Sequence, residues 1–301
     1  MSLLVTGSIG LDSVETPFGT RQDVIGGSAI YFSYAASFFT PVRLVGVVGE
    51  DAPQHLFHVF DGRPVDTAGL EVRKGSKTFR WRATYVQDMN EAQTLETQLN
   101  VLAERAPSIP SSFLDSSFVF LANTHPSLQQ QMLSSLSNVR FSVADTMNLW
   151  IDNERDELLK LLKRIDMLVL NDAEARQLTG KKNLVEAARQ VLSFGPKYVV
   201  VKKGEHGCLL CHGSELFALP AFPTERVVDP TGAGDSFAGG MMGFLASRRQ
   251  VTPATVRTAL AYGTCVASFT IADFSLAGLQ ATSREQIDRR LEELRRATVF
   301  E

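Results

Sequence analysis

Short apolar runs rich in β-formers alternate with helical patterns along most of this chain, and that alternation limits the fold more than any other feature. Residues 3–9, 42–48, 118–122, 139–144, 167–170 and 198–201 read as strands. Helical stretches lie among them at 28–39, 127–136, 153–164, 173–178 and 184–192, and three more, 233–246, 254–271 and 284–298, close the sequence. Strand, helix, strand at this spacing marks βαβ units and a mainly parallel sheet with helices on both faces. Two stretches break the rhythm. Residues 12–25 follow the first strand without a helix, and 70–100 contain TFRWRATYV, a period-2 strand. The economical arrangement joins them into a small antiparallel flap beside the main sheet. No Pro/Ser/Gly linker or internal repeat divides the sequence, so residues 1–301 read as a single α/β domain with these excursions.

Composition narrows the function classes. At 44% hydrophobic and 21% charged residues the chain can bury a real core and is no disordered tail. Lys+Arg 30 against Asp+Glu 33 gives no basic excess, which argues against a nucleic-acid or anionic-membrane partner. No run reaches the roughly 18 apolar residues of a spanning helix. The start, MSLLVTGSIG, lacks a basic region followed by a long apolar one, so a cytoplasmic location is expected. Three cysteines are too few for a disulfide framework. Cys208 to His212 read CLLCH, a haem-attachment pattern, but on a strand positions i and i+3 face opposite ways, so a buried strand is the better reading. His55 and His58, spaced HLFH without the Glu of a zincin helix, read as surface residues.

The sharpest motif is DPTGAGDSF at 229–237, followed by AGGMMGFLA. Pro230 stiffens the approach, and Gly232, Ala233 and Gly234 let the backbone turn so that successive N–H groups point outward. The helix starts at once, so those amides sit at its positive end, an anion site. Asp235 falls in the first turn. A proton acceptor beside a phosphate hole is what phosphoryl transfer to a hydroxyl needs. The competing reading is that Asp235 only favours the helix dipole and the glycines only allow close packing. The chain has no GxxxxGK[ST], and GAGDSF has Phe where a dinucleotide fingerprint needs its third Gly.

The late block DPTGAGDSFAGG and the early block GGSAIYFSYAAS together resemble the two signatures of the ribokinase-like (PfkB) carbohydrate and nucleoside kinases. Asn171-Asp172-Ala173-Glu174 and VVVKKGEHG at 199–207 agree in order and spacing, and the likeness runs from about residue 4 to about 279. It implies a ribokinase-like three-layer α/β/α sandwich with a mainly parallel central sheet and a small β lid, at about 12–25 and 70–100. It implies that Asp235 is the catalytic base and that Gly232, Ala233 and Gly234 form the anion hole. Asn171 and Glu174 match the pair that arranges Mg2+ and its waters. Lys202, Gly204 and Gly207 match the ATP-binding loop, although the family often has Thr or Ser where Lys202 stands. Gly263 and Thr264 fall where the family's late helix flanks the purine. Asp12, Gly26 and Gly27 match the sugar-hydroxyl site. A monovalent cation such as K+ is compatible with the family.

Departures bear on the acceptor. Gly10 stands where ribokinases usually have Asn two residues before the early Asp, and Tyr31 where the early block usually carries Asn. Two polar contacts to a furanose are missing, and Tyr31 suggests a ligand that stacks on a ring. Asp145, in DTMNLWI, is a possible secondary site residue. On the lid strand Phe79, Trp81 and Tyr85 share one face and Arg80, Arg82 and Thr84 the other. One face could close on the ligand while the other packs on a second copy, giving a homodimer through the lid. The expectation is an ATP-dependent kinase of a sugar hydroxyl. A nucleoside acceptor is the alternative, Arg80 and Arg82 keep a phosphorylated sugar open, and a non-catalytic sugar- or nucleotide-binding regulator is the rival from another class.

Overall fold

The computed structural model describes residues 2–86 and 88–299; Met1, Gln87, Phe300 and Glu301, which the 1–301 reading includes, lie outside. In chain order the strands are β1 (Leu3–Thr6), β2 (Gly10–Thr16), β3 (Gly19–Gly26), β4 (Val42–Gly49), β5 (Val65–Arg73), β6 (Phe79–Thr84) and β7 (Gln93–Gln98). They continue with β8 (Phe118–Leu121), β9 (Phe141–Asp145), β10 (Met167–Asn171), β11 (Tyr198–Lys202), β12 (Cys208–His212) and β13 (Glu215–Leu219). The helices are α1 (Ser28–Ala36), α2 (Pro126–Ser134), α3 (Asn148–Asn153), α4 (Arg155–Leu162), α5 (Asp172–Thr179) and α6 (Leu184–Ser193). After them come α7 (Ala233–Arg248), α8 (Pro253–Thr270), α9 (Ala277–Gln280) and α10 (Arg284–Thr298).

Nine strands form the large sheet in the order β13-β12-β11-β10-β9-β8-β1-β4-β5. All neighbours from β11 to β5 pair parallel, and β12 and β13 add an antiparallel edge. The central strands are buried on both faces. Leu3, Val5, Phe120, Val143 and Val169 pack toward α1, α7, α8 and α10, while Leu4, Val119, Leu121, Ala144 and Leu168 pack toward α2, α4, α5 and α6. Each fully buried side chain of this size contributes roughly 1.5–3 kcal/mol. The result is a three-layer α/β/α arrangement. Helix α1 is apolar around its whole circumference because it lies between the sheet and α7, and all nine of its residues are buried. The glycines of AGGMMG permit that contact: a Cβ on Gly239 would stand 2.4 Å from the Phe32 carbonyl oxygen. Cys208 and Cys211 face opposite cores, as strand geometry requires, and His55 and His58 are exposed on a short turn. Among the described residues no helix is long and apolar enough to cross a membrane.

The second sheet has the order β3-β2-β6-β7. It is two antiparallel hairpins joined by a parallel β2–β6 pair, so the flap is not antiparallel throughout. Its later part begins at Phe79, because residues 70–73 end β5 at the edge of the large sheet. Strand β5 escapes a sequence reading because an edge strand keeps polar residues (Asp66, Thr67, Glu71) that blur the pattern. The helical stretch expected at 153–164 is α4, which starts at Arg155 because Glu154 leaves helical geometry at φ −130°; the short α3 precedes it and ends at Asn153. The lid lies on the C-terminal edge of the large sheet. The Ser275 hydroxyl donates to the Ile25 carbonyl at 2.6 Å, and Arg21 and Arg226 stack over Phe274 and Phe18.

Candidate active site

Parallel strands end on a common edge, and three of them deliver charged or polar groups there. Asp145 ends β9, Asn171 ends β10 and Lys202 ends β11, with Asn171 paired to Lys202 across the ladder. The N-terminus of α7 comes down on this edge. Gly232 caps it at φ 74° with no side-chain cap, so no side chain claims the first-turn amides. A Cβ on Gly232 would stand 2.4 Å from the Tyr31 ring. Backbone sign and close approach therefore both demand glycine here. Asp229, 1% exposed, holds the approach: it accepts from the Thr231 amide at 2.9 Å and the Ser275 amide at 3.3 Å.

Tyr31 corrects one expectation. It is 1% exposed, with its ring beneath Gly232 and in the core, so it offers no face on which a ligand can stack. Only its hydroxyl end lies near the site, beside Asp12 and Asp229, and burial pushes that phenol well above its ordinary range.

Two buried carboxylates, Asp145 and Glu174, and the partly exposed Asp235 share one ammonium. A Cβ on Gly234 would stand 2.5 Å from Lys202 Nζ, so the lysine lies over the glycine turn. Burial raises Asp235, and Lys202 pulls it back. Asp145 is pushed well up by burial and then by Asp235, with Lys202 opposing, and its Oδ1 is buried with no hydrogen-bond partner. Glu174 is raised by burial and lowered by Lys202. Asn171 and Glu174 form a capping box on α5: the Glu174 amide donates to Asn171 Oδ1 and the Asn171 amide to Glu174 Oε2, each at 2.7 Å. Capping engages one oxygen of each residue. Among the described residues no three metal-ligating side chains converge on one point. This donor set suits Mg2+ carried by phosphate oxygens and water, near surplus buried negative charge and an orphaned carboxylate oxygen.

Asp12 lies on the lid side, 3% exposed, pushed up to about 8 by burial and by Asp229 and Asp235, with the Gly27 amide opposing. Its carboxylate rests on Gly26, where a Cβ would stand 1.8 Å from Oδ2. The Gly10 departure has a physical cause: a Cβ there would stand 2.4 Å from the ring of Phe79, its partner across the β2–β6 ladder. Asp12 is paired with Trp81 in the same register, and the Tyr85 hydroxyl reaches Thr231 Oγ1 at 3.4 Å. The aromatic face of the lid strand is thus the inner one. Arg80 is held by Asp23 at 2.5 Å and Asp51 at 3.4 Å, and Arg82 by Glu96 at 3.6 Å, which removes the ground for a phosphorylated sugar.

The 204–207 loop makes a short turn, and lid residue Asn90 crosses to it, bonding the amide and carboxylate of Glu205. Gly263 sits in the α7–α8 crossing, where a Cβ would stand 2.5 Å from the Phe237 carbonyl oxygen, and Thr264 beside it is 7% exposed. Packing alone accounts for that glycine. Asp229, Thr231 and Ser275 join the site without a role expected for them from sequence, whereas Tyr85 belongs to a lid-strand face of which one side was expected to close on the ligand. Tyr85 carried a signal in its period-2 spacing from Phe79 and Trp81.

The pfkB family carbohydrate kinase model matches residues 16–281. The chain is 31% identical over 247 residues to a cytidine kinase of Thermococcus kodakarensis, covering 80% of this chain and 87% of that one. Among solved structures it resembles the nucleoside kinase of Burkholderia thailandensis in complex with inosine, with TM-score 0.77 and 20% identity over 97% and 98% of the two chains. It also resembles Arabidopsis thaliana ribokinase complexed with ribose and ATP, with TM-score 0.78 and 20% identity over 96% and 98%. A glycine turn with an aspartate in the first helical turn, on this fold and with this match, leaves one family, and the regulator reading falls away: the chain belongs to the pfkB family of carbohydrate kinases and is an ATP-dependent kinase of sugars or nucleosides.

Proposed function

We propose that the acceptor is a nucleoside, phosphorylated on a ribose hydroxyl, with Asp235 as general base. The observation that carries the acceptor reading is the lining of the Asp12 site: aromatic lid residues, with Phe79 over Gly10 and Tyr85 on Thr231, close over the buried Asp12 carboxylate. A free furanose exposes hydroxyls on nearly every carbon and would need the amides this chain has replaced. A nucleoside needs few polar contacts at the sugar and an apolar surface for its base. The cytidine kinase relative supports the same reading.

Asp12 accepts hydrogen bonds from acceptor hydroxyls against the Gly26-Gly27 turn. The 232–234 amides hold the phosphoryl group, and the 204–207 loop with Lys202 holds the nucleotide. Asp235 takes the acceptor proton; burial, by raising its affinity for a proton, suits it to that task. Bound Mg2+ supplies charge neutralisation on the phosphates, with Asn171 and Glu174 ordering its waters. The lid excludes water from the reacting groups. ADP release measured against a panel of nucleosides, free pentoses, hexoses and sugar acids tests the acceptor. A nucleoside should give the highest kcat/KM, and a free sugar or sugar acid in first place would overturn the reading.

A further inference from the structure

We propose that Lys202 is a catalytic residue, its ammonium contacting the γ-phosphoryl group of ATP over the 232–234 turn and following it through transfer, and that Asp145 is the positioning residue that keeps it there. The proposal rests on the phosphoryl-transfer site described above but not on which acceptor is used.

A lysine at a strand end ordinarily runs its stem along the surface and leaves its charge in water. Lys202 does the reverse. It is only partly exposed, and its Nζ stands 2.5 Å from where a Gly234 Cβ would be, over the amides that form the anion site. Asp145, Glu174 and Asp235 all feel its charge, yet among the described residues none forms a direct ion pair with it. An ammonium held by the combined field of three carboxylates, and bonded to none, is free to take a phosphate oxygen.

Asp145 supplies the second, independent observation. It is 7% exposed, and its Oδ1 has no hydrogen-bond partner although it lies in the space shared with Lys202 and Asp235. Its orphaned Oδ1, with the Glu174 carboxylate, offers the ammonium acceptors other than Asp235. Without it the ammonium would settle on Asp235 and compete for the base. During transfer the acceptor oxygen–Pγ bond forms and the bond from Pγ to the bridging oxygen breaks. That electron pair leaves with ADP, and the acceptor proton passes to Asp235. Lys202 neither gains nor loses a proton; it neutralises charge on the equatorial oxygens of a loose transition state.

The test compares wild type with Lys202→Met, Lys202→Arg, Asp145→Asn and the Lys202→Met/Asp145→Asn pair, each checked for an intact melting transition. Calorimetry with Mg·ADP and with the Mg complex of the β,γ-imido analogue of ATP needs no acceptor, so its outcome does not depend on the nucleoside reading. Lys202→Met should weaken the analogue by about 10–150-fold and ADP by less than about threefold, the range for a bond to a charged group present in one ligand and absent in the other. With any acceptor that turns over, kcat should fall by about 10²–10³-fold, and Lys202→Arg should recover part of it. Asp145→Asn should lower kcat on its own but add nothing in the Lys202→Met background. Equal weakening of both nucleotides would make Lys202 an ordinary wall of the nucleotide site and overturn the proposal. Wild-type kcat in Lys202→Met would do the same, and additive losses would remove Asp145 from it.

Discussion

Asp12→Asn should stabilise the unliganded protein and damage the enzyme. The carboxylate is pushed up from 3.8 to about 8, chiefly by burial. Between those values the folded protein holds a proton that the unfolded chain has lost, so stability falls as pH rises from about 4 to about 8. At ~1.4 kcal/mol per pH unit, that rise sets a ceiling near ~6 kcal/mol. Water entry and small shifts around a buried carboxylate cut it, and roughly 2–3 kcal/mol is a working figure at pH 8.5. Asparagine keeps the oxygen that accepts from the Gly27 amide and removes the buried charge. In urea titrations the gain of Asp12→Asn over wild type should therefore be small near pH 5 and grow through pH 8. At pH 8.5, where wild-type Asp12 is ionised, the same variant should lose about 10–150-fold in acceptor kcat/KM, the value of a hydrogen bond to a charged group, while KM for ATP stays put. Stability gained where activity is lost marks a residue kept for function. A variant less stable at every pH, with unchanged acceptor kinetics, would make Asp12 a structural element of the first turn and refute the argument.

Two further substitutions probe the neighbouring groups. Glu174→Gln keeps the capping-box bonds to Asn171, so its melting temperature should hold or rise, while the Mg2+ concentration for half-maximal activity increases and saturating Mg2+ restores part of the rate; an unchanged Mg2+ dependence would leave Glu174 as a helix cap. Tyr85→Phe removes only the hydroxyl that meets Thr231; loss of a neutral hydrogen bond of ~0.5–1.5 kcal/mol should lower stability by up to that amount and, by loosening the lid over the site, raise acceptor KM by at most about 12-fold, with thermal melts and steady-state kinetics as the check.

The residues that order the parallel sheet were readable because burial on both faces leaves long apolar runs, as at Val199 and Val200, which no surface segment mimics. The glycine turn and Asp235 were readable because the anion site is local: cap, amides and carboxylate lie within a few residues of one another. What escaped is non-local or ambiguous in kind. Strand β5 and the parallel β2–β6 pair depend on what lies beside them, and nothing in their own residues specifies it. Tyr31 was read for its ring chemistry, but its burial follows from Gly232, about two hundred residues away in sequence. Asp229 sits inside the recognised motif, and its task of tying the turn to Ser275 needs the loop after α8. The inner face of the lid strand follows from Gly10 and Thr231, contacts that alternation alone does not choose.

The account stands most directly on Asp235. With the best acceptor from the panel, Asp235→Asn should bind Mg·ADP as wild type does and lower kcat by at least ~10²-fold, the scale of lost general-base catalysis. Near wild-type turnover by a folded Asp235→Asn protein would contradict it.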